Sequence, residues 1–179
     1  MKFPSKAIAN FFFDTATARG DTSLSPMKLQ KFVYFAHGWH LGITGQPLIL
    51  EQVQAWPYGP VIKVLYHEFK HFGNGQILTP ATDALWNPSA SMEVELVAPR
   101  VPVDGSPEST YTYALLNRIW ELYNPFTAIQ LSNETHKTDS PWDQVKSKYP
   151  SGIPMDTEIP NDLIRDYFAR LAGRPKPAQ

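Results

Sequence analysis

The sequence contains no cysteine among its 179 residues, which excludes disulfide bonds, thiolate metal ligands and cysteine nucleophiles. Neither sign of charge dominates, since 16 Lys and Arg residues stand against 17 Asp and Glu residues. A chain so close to neutrality lacks the basic stripe that is typical of nucleic-acid-binding proteins. No apolar run is long enough to cross a bilayer. We therefore expect a soluble protein with neither a membrane nor a nucleic acid as its partner.

A short apolar run near the N-terminus, residues 7–13, resembles the hydrophobic region of a signal peptide. Residues 16–18 after it have the small-residue pattern of a cleavage site. Asn10 interrupts the run, however, and the same residues also show the periodicity of an amphipathic helix. The sequence therefore favours a cytoplasmic protein over a secreted one.

Helical periodicity and helix-terminal residues predict six to seven helices. Ser25 and Ser140 each precede a proline, a pattern typical of helix N-termini, and Thr127 is a further candidate cap. Two short segments, residues 77–79 and 92–97, have the composition of strands. The predicted helices span residues 4–19, 26 to 42–45, 60–73, 111–123, 127–135, 141–148 and 162–172.

These elements predict a mainly α fold of the α+β class. We expect a single compact helical domain over residues 1–173, with a small inserted antiparallel β element. Residues 174–179 are expected to form a frayed C-terminal tail. The sequence shows no internal repeat and no linker, so one domain accounts for its length.

The strongest turn signal lies at residues 56–60, which read Trp-Pro-Tyr-Gly-Pro. Each proline fixes its own φ angle and restrains the residue before it. Pro60 is also suited to the first position of a helix, so the sequence predicts that the third helix begins there.

A possible zinc motif, His-x-x-x-His with glutamate after the first histidine, occupies residues 67–71. On a helix, His67 and His71 could bind zinc while Glu68 activates a water molecule, as in zinc peptidases. No third ligand is evident, and Lys63 and Lys70 lie on the same helix face. The pattern therefore favours an ordinary solvated face, with a zinc-dependent metallopeptidase as the alternative.

Two further histidines have open interpretations. His40 falls within the apolar stripe of the second helix, where it is either a core histidine or a ligand or acid–base group beside His37. His136 precedes Trp142 in a loop, where it either caps a helix end or lines a binding surface. Neither a nucleophile elbow nor a phosphate-binding glycine loop is present, so the sequence indicates no enzyme and no cofactor.

Several blocks of the sequence resemble a known family. They are KLQKFVYFAHGWHL at residues 28–41, AWPYGPV at 55–61 and LYHEF at 65–69, and the later pairs at 131–132, 135–136 and 141–142 agree as well. The chain is similar to the Panacea domain of SocA-like antitoxins, also described as GepA-like phage-associated proteins. The resemblance covers about residues 5–145.

The resemblance implies an antitoxin that neutralises a cognate toxin, encoded nearby, by direct protein–protein contact. One member of the family instead delivers its toxin to a cytosolic protease, so a protease is a second implied partner. The resemblance implies no catalytic residue and no cofactor. Aromatic residues at the surface of a nearly neutral domain are typical of protein contacts. The candidate binding residues are Trp39, His40, Trp56, Tyr58, Tyr66, His67, His136 and Trp142.

Overall fold

The computed structural model describes residues 2–86 and 94–173. Within these residues the chain forms seven α-helices and two antiparallel sheets of two strands each, which confirms the mainly α fold class. The predicted tail 174–179 and the first two residues of the predicted strand 92–97 lie outside the described residues. The elements are α1 (Ser5–Arg19), α2 (Pro26–Thr44), β1 (Val53–Trp56), β2 (Gly59–Ile62), α3 (Lys63–Phe69), β3 (Asp83–Trp86), β4 (Val94–Val97), α4 (Pro107–Tyr123), α5 (Ala128–Thr135), α6 (Pro141–Lys146) and α7 (Asn161–Leu171).

The central element of the fold is α2, which packs against α1, α4, α5, α7 and β2. From residue 28 to residue 42 it is buried on every side except at Trp39. Its closest neighbour is α7, because Gly38 and Gly42 leave room for it. A Cβ atom at Gly38 would lie 2.2 Å from the Phe168 ring, and one at Gly42 would lie 2.7 Å from the Ala169 backbone nitrogen.

The predicted helix starts at Ser25, Thr127 and Ser140 are confirmed as side-chain caps. The Ser25 hydroxyl accepts from the Lys28 backbone N–H at 3.4 Å, and the Ser140 hydroxyl accepts from that of residue 143 at 3.2 Å. Thr127 forms a reciprocal capping box with Gln130. These three starts were predictable because a cap depends on residues that are adjacent in the chain.

The prediction that a helix begins at Pro60 is wrong. Residues 59–62 form β2, which pairs antiparallel with β1 in the register Val53↔Ile62 and Trp56↔Gly59. The helix begins three residues later, at Lys63. Residues 57 and 58 therefore form the two-residue turn of a hairpin.

The strand predicted at residues 77–79 is also wrong. The Ile77 N–H donates to the carbonyl oxygen of Leu24 at 2.9 Å, so this segment is tied to the connection between α1 and α2. The partner of β4 is β3, a strand that was not predicted from the sequence. Among the helices of the described residues, none is long and apolar enough to cross a bilayer.

Candidate protein-interaction site

The buried Lys31 of α2 holds the turn at residues 56–60 through hydrogen bonds. The Lys31 Nζ donates to the carbonyl oxygens of Tyr58 at 2.7 Å and Pro60 at 3.1 Å. Only 1% of Lys31 is exposed, and burial lowers its pKa to about 7. Lys31 thus connects the central helix to the tip of the β1–β2 hairpin.

Residues of α5, of α6 and of the segment between them also hold carbonyl groups of the turn. The Trp142 indole N–H donates to the carbonyl oxygen of Trp56 at 2.7 Å, and the Ser132 hydroxyl donates to that of Tyr58 at 3.0 Å. The Nε2 atom of His136 lies 3.3 Å from the carbonyl oxygen of Pro57. The rings of His136 and Trp142 lie 3.9 Å apart. Three elements, α2, α5 and α6, together with His136 after α5, therefore determine the backbone position of this turn.

Gly59 is required at the centre of this arrangement. Its φ angle is +99°, which L-residues with side chains rarely adopt. A Cβ atom there would lie 2.5 Å from the Thr135 hydroxyl and 2.8 Å from the Lys31 Nζ. The turn can approach α2 and α5 this closely only because residue 59 has no side chain.

Aromatic side chains at and beside this turn reach solvent. Tyr58 is 72% exposed, and Tyr66 of α3 is 40% exposed. Trp56 is half-buried, and its ring lies 4.7 Å from that of Tyr66. We call Trp56, Tyr58 and Tyr66 the turn surface. Large aromatic side chains on a fixed backbone are the usual energetic centres of protein–protein interfaces.

A groove runs along both sides of the Tyr58 ring. On one side lies a cavity of about 760 Å³ that is bounded by Ile129 of α5. On the other lies a cavity of about 290 Å³ that reaches Lys70. Met27, Tyr58 and Asn74 line both cavities, so the two are adjacent. We call them together the Tyr58 groove.

A third cavity, of about 330 Å³, lies on the far side of Trp56. His67 and Met155 line it, and Met155 is 93% exposed. Lys63 and Asp156 at this cavity form an ion pair at 2.6 Å. The charges on this side of the turn are therefore already paired.

The structure brings six of the eight candidate binding residues together. Four of them, Trp56, Tyr58, Tyr66 and His67, reach the surface at or beside the turn. The other two, His136 and Trp142, lie beneath it and support its backbone, as described above. Sequence reasoning left open whether His136 is a cap or a surface residue, and the structure places it at the C-terminal cap of α5, in contact with the turn.

The remaining two candidates lie elsewhere, in the second half of α2. The Trp39 indole donates to the Tyr123 hydroxyl at 2.8 Å, and its ring packs on Phe168 at 5.4 Å. His40 is only 7% exposed, and its ring packs edge-on against Tyr111 at 5.7 Å. Burial lowers the pKa of His40 to about 4, so it is a neutral core histidine near pH 7.

Several residues of the site were missed by sequence reasoning, and Lys31 is the most important. Its neighbour Gln30 has a related role: the Gln30 amide accepts from the Ile62 N–H at 3.0 Å and donates to the Ile62 carbonyl oxygen at 3.1 Å. Gln30 thus occupies the position of a further strand beside β2. A sequence signal was present, because both polar residues interrupt a helix that is otherwise apolar on that side.

The zinc motif does not form a metal-binding cluster. Glu68 is paired with Lys6 at 2.9 Å and accepts from the Thr82 N–H at 2.9 Å, so it anchors the base of the β3–β4 hairpin. His71 lies in a 3₁₀ helix (Lys70–Phe72) rather than in α3, which breaks the one-turn spacing to His67. The described residues contain no group of three His, Cys, Asp or Glu side chains that could hold a metal ion.

Comparisons with known proteins agree with the resemblance found in the sequence. The family described as "Antitoxin SocA-like, Panacea domain" matches residues 29–143. The chain is similar to "Antitoxin SocA" of Caulobacter vibrioides, with 27% identity over 164 residues that cover 92% of this chain and 81% of that relative. No solved structure matches the chain. The matched residues 29–143 include the turn and every side chain that holds it, with Trp142 close to the end of the match.

Proposed function

Because this chain belongs to the SocA-like antitoxin family with the Panacea domain, we propose that it is an antitoxin that neutralises a cognate toxin by binding it directly. The toxin is the product of a neighbouring gene, and the encounter takes place in the cytoplasm. Neutralisation follows mass action: toxin activity falls as the complex forms.

One observation carries the proposed docking surface: aromatic side chains reach solvent at and beside a turn whose carbonyl groups are held by hydrogen bonds from buried residues. Tyr58 is 72% exposed, although its own carbonyl oxygen is held by Lys31 and Ser132. A side chain that is already positioned loses less conformational entropy on binding than one on a mobile loop. The turn surface is therefore the place where the toxin gains most of its binding free energy.

The first experiment is co-expression of this chain with the product of the neighbouring gene. Growth of the host cells is expected to recover, and the two purified proteins are expected to form a complex. Absence of a complex between the purified proteins contradicts direct binding.

The second experiment assigns the docking surface by substitution. Tyr58→Ala is expected to raise the Kd for the toxin about tenfold or more, as for an aromatic residue at an interface centre. Tyr149→Ala is the matched control, because Tyr149 is also exposed but lies after α6 and lines neither cavity of the Tyr58 groove. Equal Kd values for the two variants would place the docking surface elsewhere.

Delivery of the toxin to a cytosolic protease is the alternative route to the same neutralisation. The two routes differ in the lifetime of the toxin. If binding alone neutralises the toxin, its half-life in cells is unchanged or longer when the antitoxin is present. A half-life that shortens only when antitoxin and protease are both present shows the delivery route.

A further inference from the structure

We propose that the Tyr58 groove receives one segment of the toxin, which carries a large apolar side chain next to a carboxylate. This inference rests on the proposed function and specifies the chemistry of the partner. It is supported by the shape of the groove, by its charge, and by the poor match of the groove to a second copy of this chain.

The shape of the groove suits a continuous segment of polypeptide. The two cavities meet at the Tyr58 ring, where Met27 and Asn74 line both of them. Ile129 borders the larger cavity and is 69% exposed. An apolar side chain of the partner would cover Met27 and Ile129 in the larger cavity, while the adjoining backbone crosses Tyr58 to the smaller one. Burial of such exposed apolar surface is favourable at roughly 25 cal/mol per Å².

The charged side chains that line the groove are basic and lie in its smaller cavity. Lys31 and Lys70 line the smaller cavity, and the described residues that line the two cavities include no Asp or Glu. The Lys31 Nζ is already used by two carbonyl oxygens of the turn. Lys70 is exposed and has no ion-pair partner within residues 2–86 and 94–173. A carboxylate of the bound segment would form an ion pair with Lys70.

The first turns of α2 and α5 reinforce this sign. Ser25 and Met27, at the start of α2, and Thr127 and Ala128, at the start of α5, border the larger cavity. The N-terminal end of a helix carries a partial positive charge and is stabilised by nearby negative charge. The electrostatic interaction with the groove is therefore favourable at both ends for an acidic segment and unfavourable at both ends for a basic one.

A second copy of this chain is a poor occupant. Self-association through the groove would bring together two surfaces that carry lysine and lack carboxylates among their described lining residues. Like charges placed against each other in an interface cost several kcal/mol. The groove is thus complementary to a different protein rather than to itself.

Photo-crosslinking tests which segment occupies the groove. The photoreactive residue p-benzoylphenylalanine replaces Ile129 in the full chain, and the control carries it at Tyr149. The probe is the purified toxin encoded by the neighbouring gene. We expect crosslinks from position 129 only, to a toxin peptide with an aromatic or large aliphatic side chain within a few residues of Asp or Glu. Crosslinks to a basic peptide, or none from position 129 in a complex that forms, overturn the inference.

Charge reversal tests the pair at Lys70. Lys70→Glu is expected to raise the Kd about tenfold, and Lys148→Glu, at another exposed lysine outside the groove, is expected to leave it unchanged. Lys70→Gln is a second variant with a smaller expected effect, and circular dichroism verifies that each variant is folded. Exchange of the crosslinked carboxylate for lysine in the toxin is expected to restore binding to Lys70→Glu.

The two levels of the proposal fail in different ways. If the unmodified proteins form no complex, direct binding itself is wrong. If they form a complex whose Kd is unchanged in both Lys70 variants, the proposed function stands and the groove assignment is wrong.

Discussion

The Nζ atom of Lys31 lies 2.7 Å from the carbonyl oxygen of Tyr58, and this contact joins the most buried helix to the most exposed aromatic residue of the turn surface. Lys31 has a second neutral acceptor, the carbonyl oxygen of Pro60, and no carboxylate pairs with it in the described part of the chain. A buried cation without a counter-ion lowers stability. The fold thus retains a costly residue where it positions a surface.

Replacement of Lys31 by methionine should change how stability depends on pH. The unfolded chain binds the lysine proton up to about pH 10.5, whereas in the folded chain burial lowers the pKa of Lys31 to about 7. Between these values the unfolded state binds more protons, so the free energy of unfolding of the unmodified protein rises with pH. Relative to that of Lys31→Met, the free energy of unfolding of the unmodified protein should rise by about 2 kcal/mol between pH 7 and pH 9. Urea unfolding at the two pH values measures this change.

The control for this measurement is Lys148→Met, because Lys148 is exposed. Its difference from the unmodified protein should be the same at both pH values. A difference between the unmodified protein and Lys31→Met that stays constant from pH 7 to pH 9 would contradict the role assigned to Lys31. Lys31→Met should also weaken toxin binding, because the turn loses two of its hydrogen bonds.

A second prediction concerns the glycine of the turn. Gly59→Ala should lower the free energy of unfolding by about 2–4 kcal/mol. An alanine is strained at the positive φ angle of this position, and its Cβ atom would also clash with the surrounding atoms. Gly105→Ala is a matched control: its φ angle is also positive, at +71°, but nothing lies within 4 Å of a Cβ atom there. It should cost only about 1 kcal/mol. Equal losses in urea unfolding would mean that the contacts with Thr135 and Lys31 do not matter.

The helix starts could be predicted because their signals are local. Ser25, Thr127 and Ser140 accept hydrogen bonds from N–H groups three residues away, so the sequence window contains both partners. The β1–β2 hairpin was missed because the local signal at Pro60 is ambiguous: proline suits both a helix start and a strand without a ladder N–H. The pairing of residues 53–56 with 59–62 decides between these alternatives.

The support of the turn could not be predicted for a different reason. The side chains that support the turn are distant from it in the chain. Separations of 27, 74 and 86 positions divide Lys31, Ser132 and Trp142 from the residues whose carbonyl oxygens they contact. The periodicity of a single helix shows which side is apolar, but it does not show which carbonyl groups a polar residue will meet. The turn itself was identified from sequence, whereas the side chains that support it became apparent only from the folded structure.

Acid should destabilise the protein through two buried histidines. Burial lowers the pKa of His37 and His40 to about 4, whereas a histidine in the unfolded chain is protonated near pH 6.5. Between these values the unfolded state binds more protons, so the free energy of unfolding falls as the pH falls. Each histidine should lower the free energy of unfolding by about 1 kcal/mol between pH 7.5 and pH 5.5.

The variant His40→Phe isolates one of these contributions. Both ring nitrogens of His40 are buried without a hydrogen-bond partner in the described part of the chain, so a phenyl ring loses no bond there. The variant should show about half of the pH-dependent loss in urea unfolding. His71→Asn, at an exposed position, should keep all of it. An unchanged pH dependence in His40→Phe would show that this histidine is not the source.

The contact between α2 and α7 yields a last prediction, in which packing opposes helix propensity. Alanine stabilises a helix interior by about 1 kcal/mol relative to glycine. Gly38→Ala and Gly42→Ala should nevertheless both destabilise the protein, because each new Cβ atom would lie less than 3.0 Å from α7.

The two positions should respond differently to a smaller residue at 168. At Gly38 the nearest atoms belong to the Phe168 ring, whereas at Gly42 the two nearest belong to the α7 backbone. Phe168→Leu removes the ring atoms but not the backbone, so its combination with Gly38→Ala should cost less than the sum of the single changes. Its combination with Gly42→Ala should be additive in urea unfolding, since no side-chain change can move the α7 backbone away. Additive losses at both positions would show that the helix backbones, rather than the Phe168 ring, set the spacing between α2 and α7 along their whole contact.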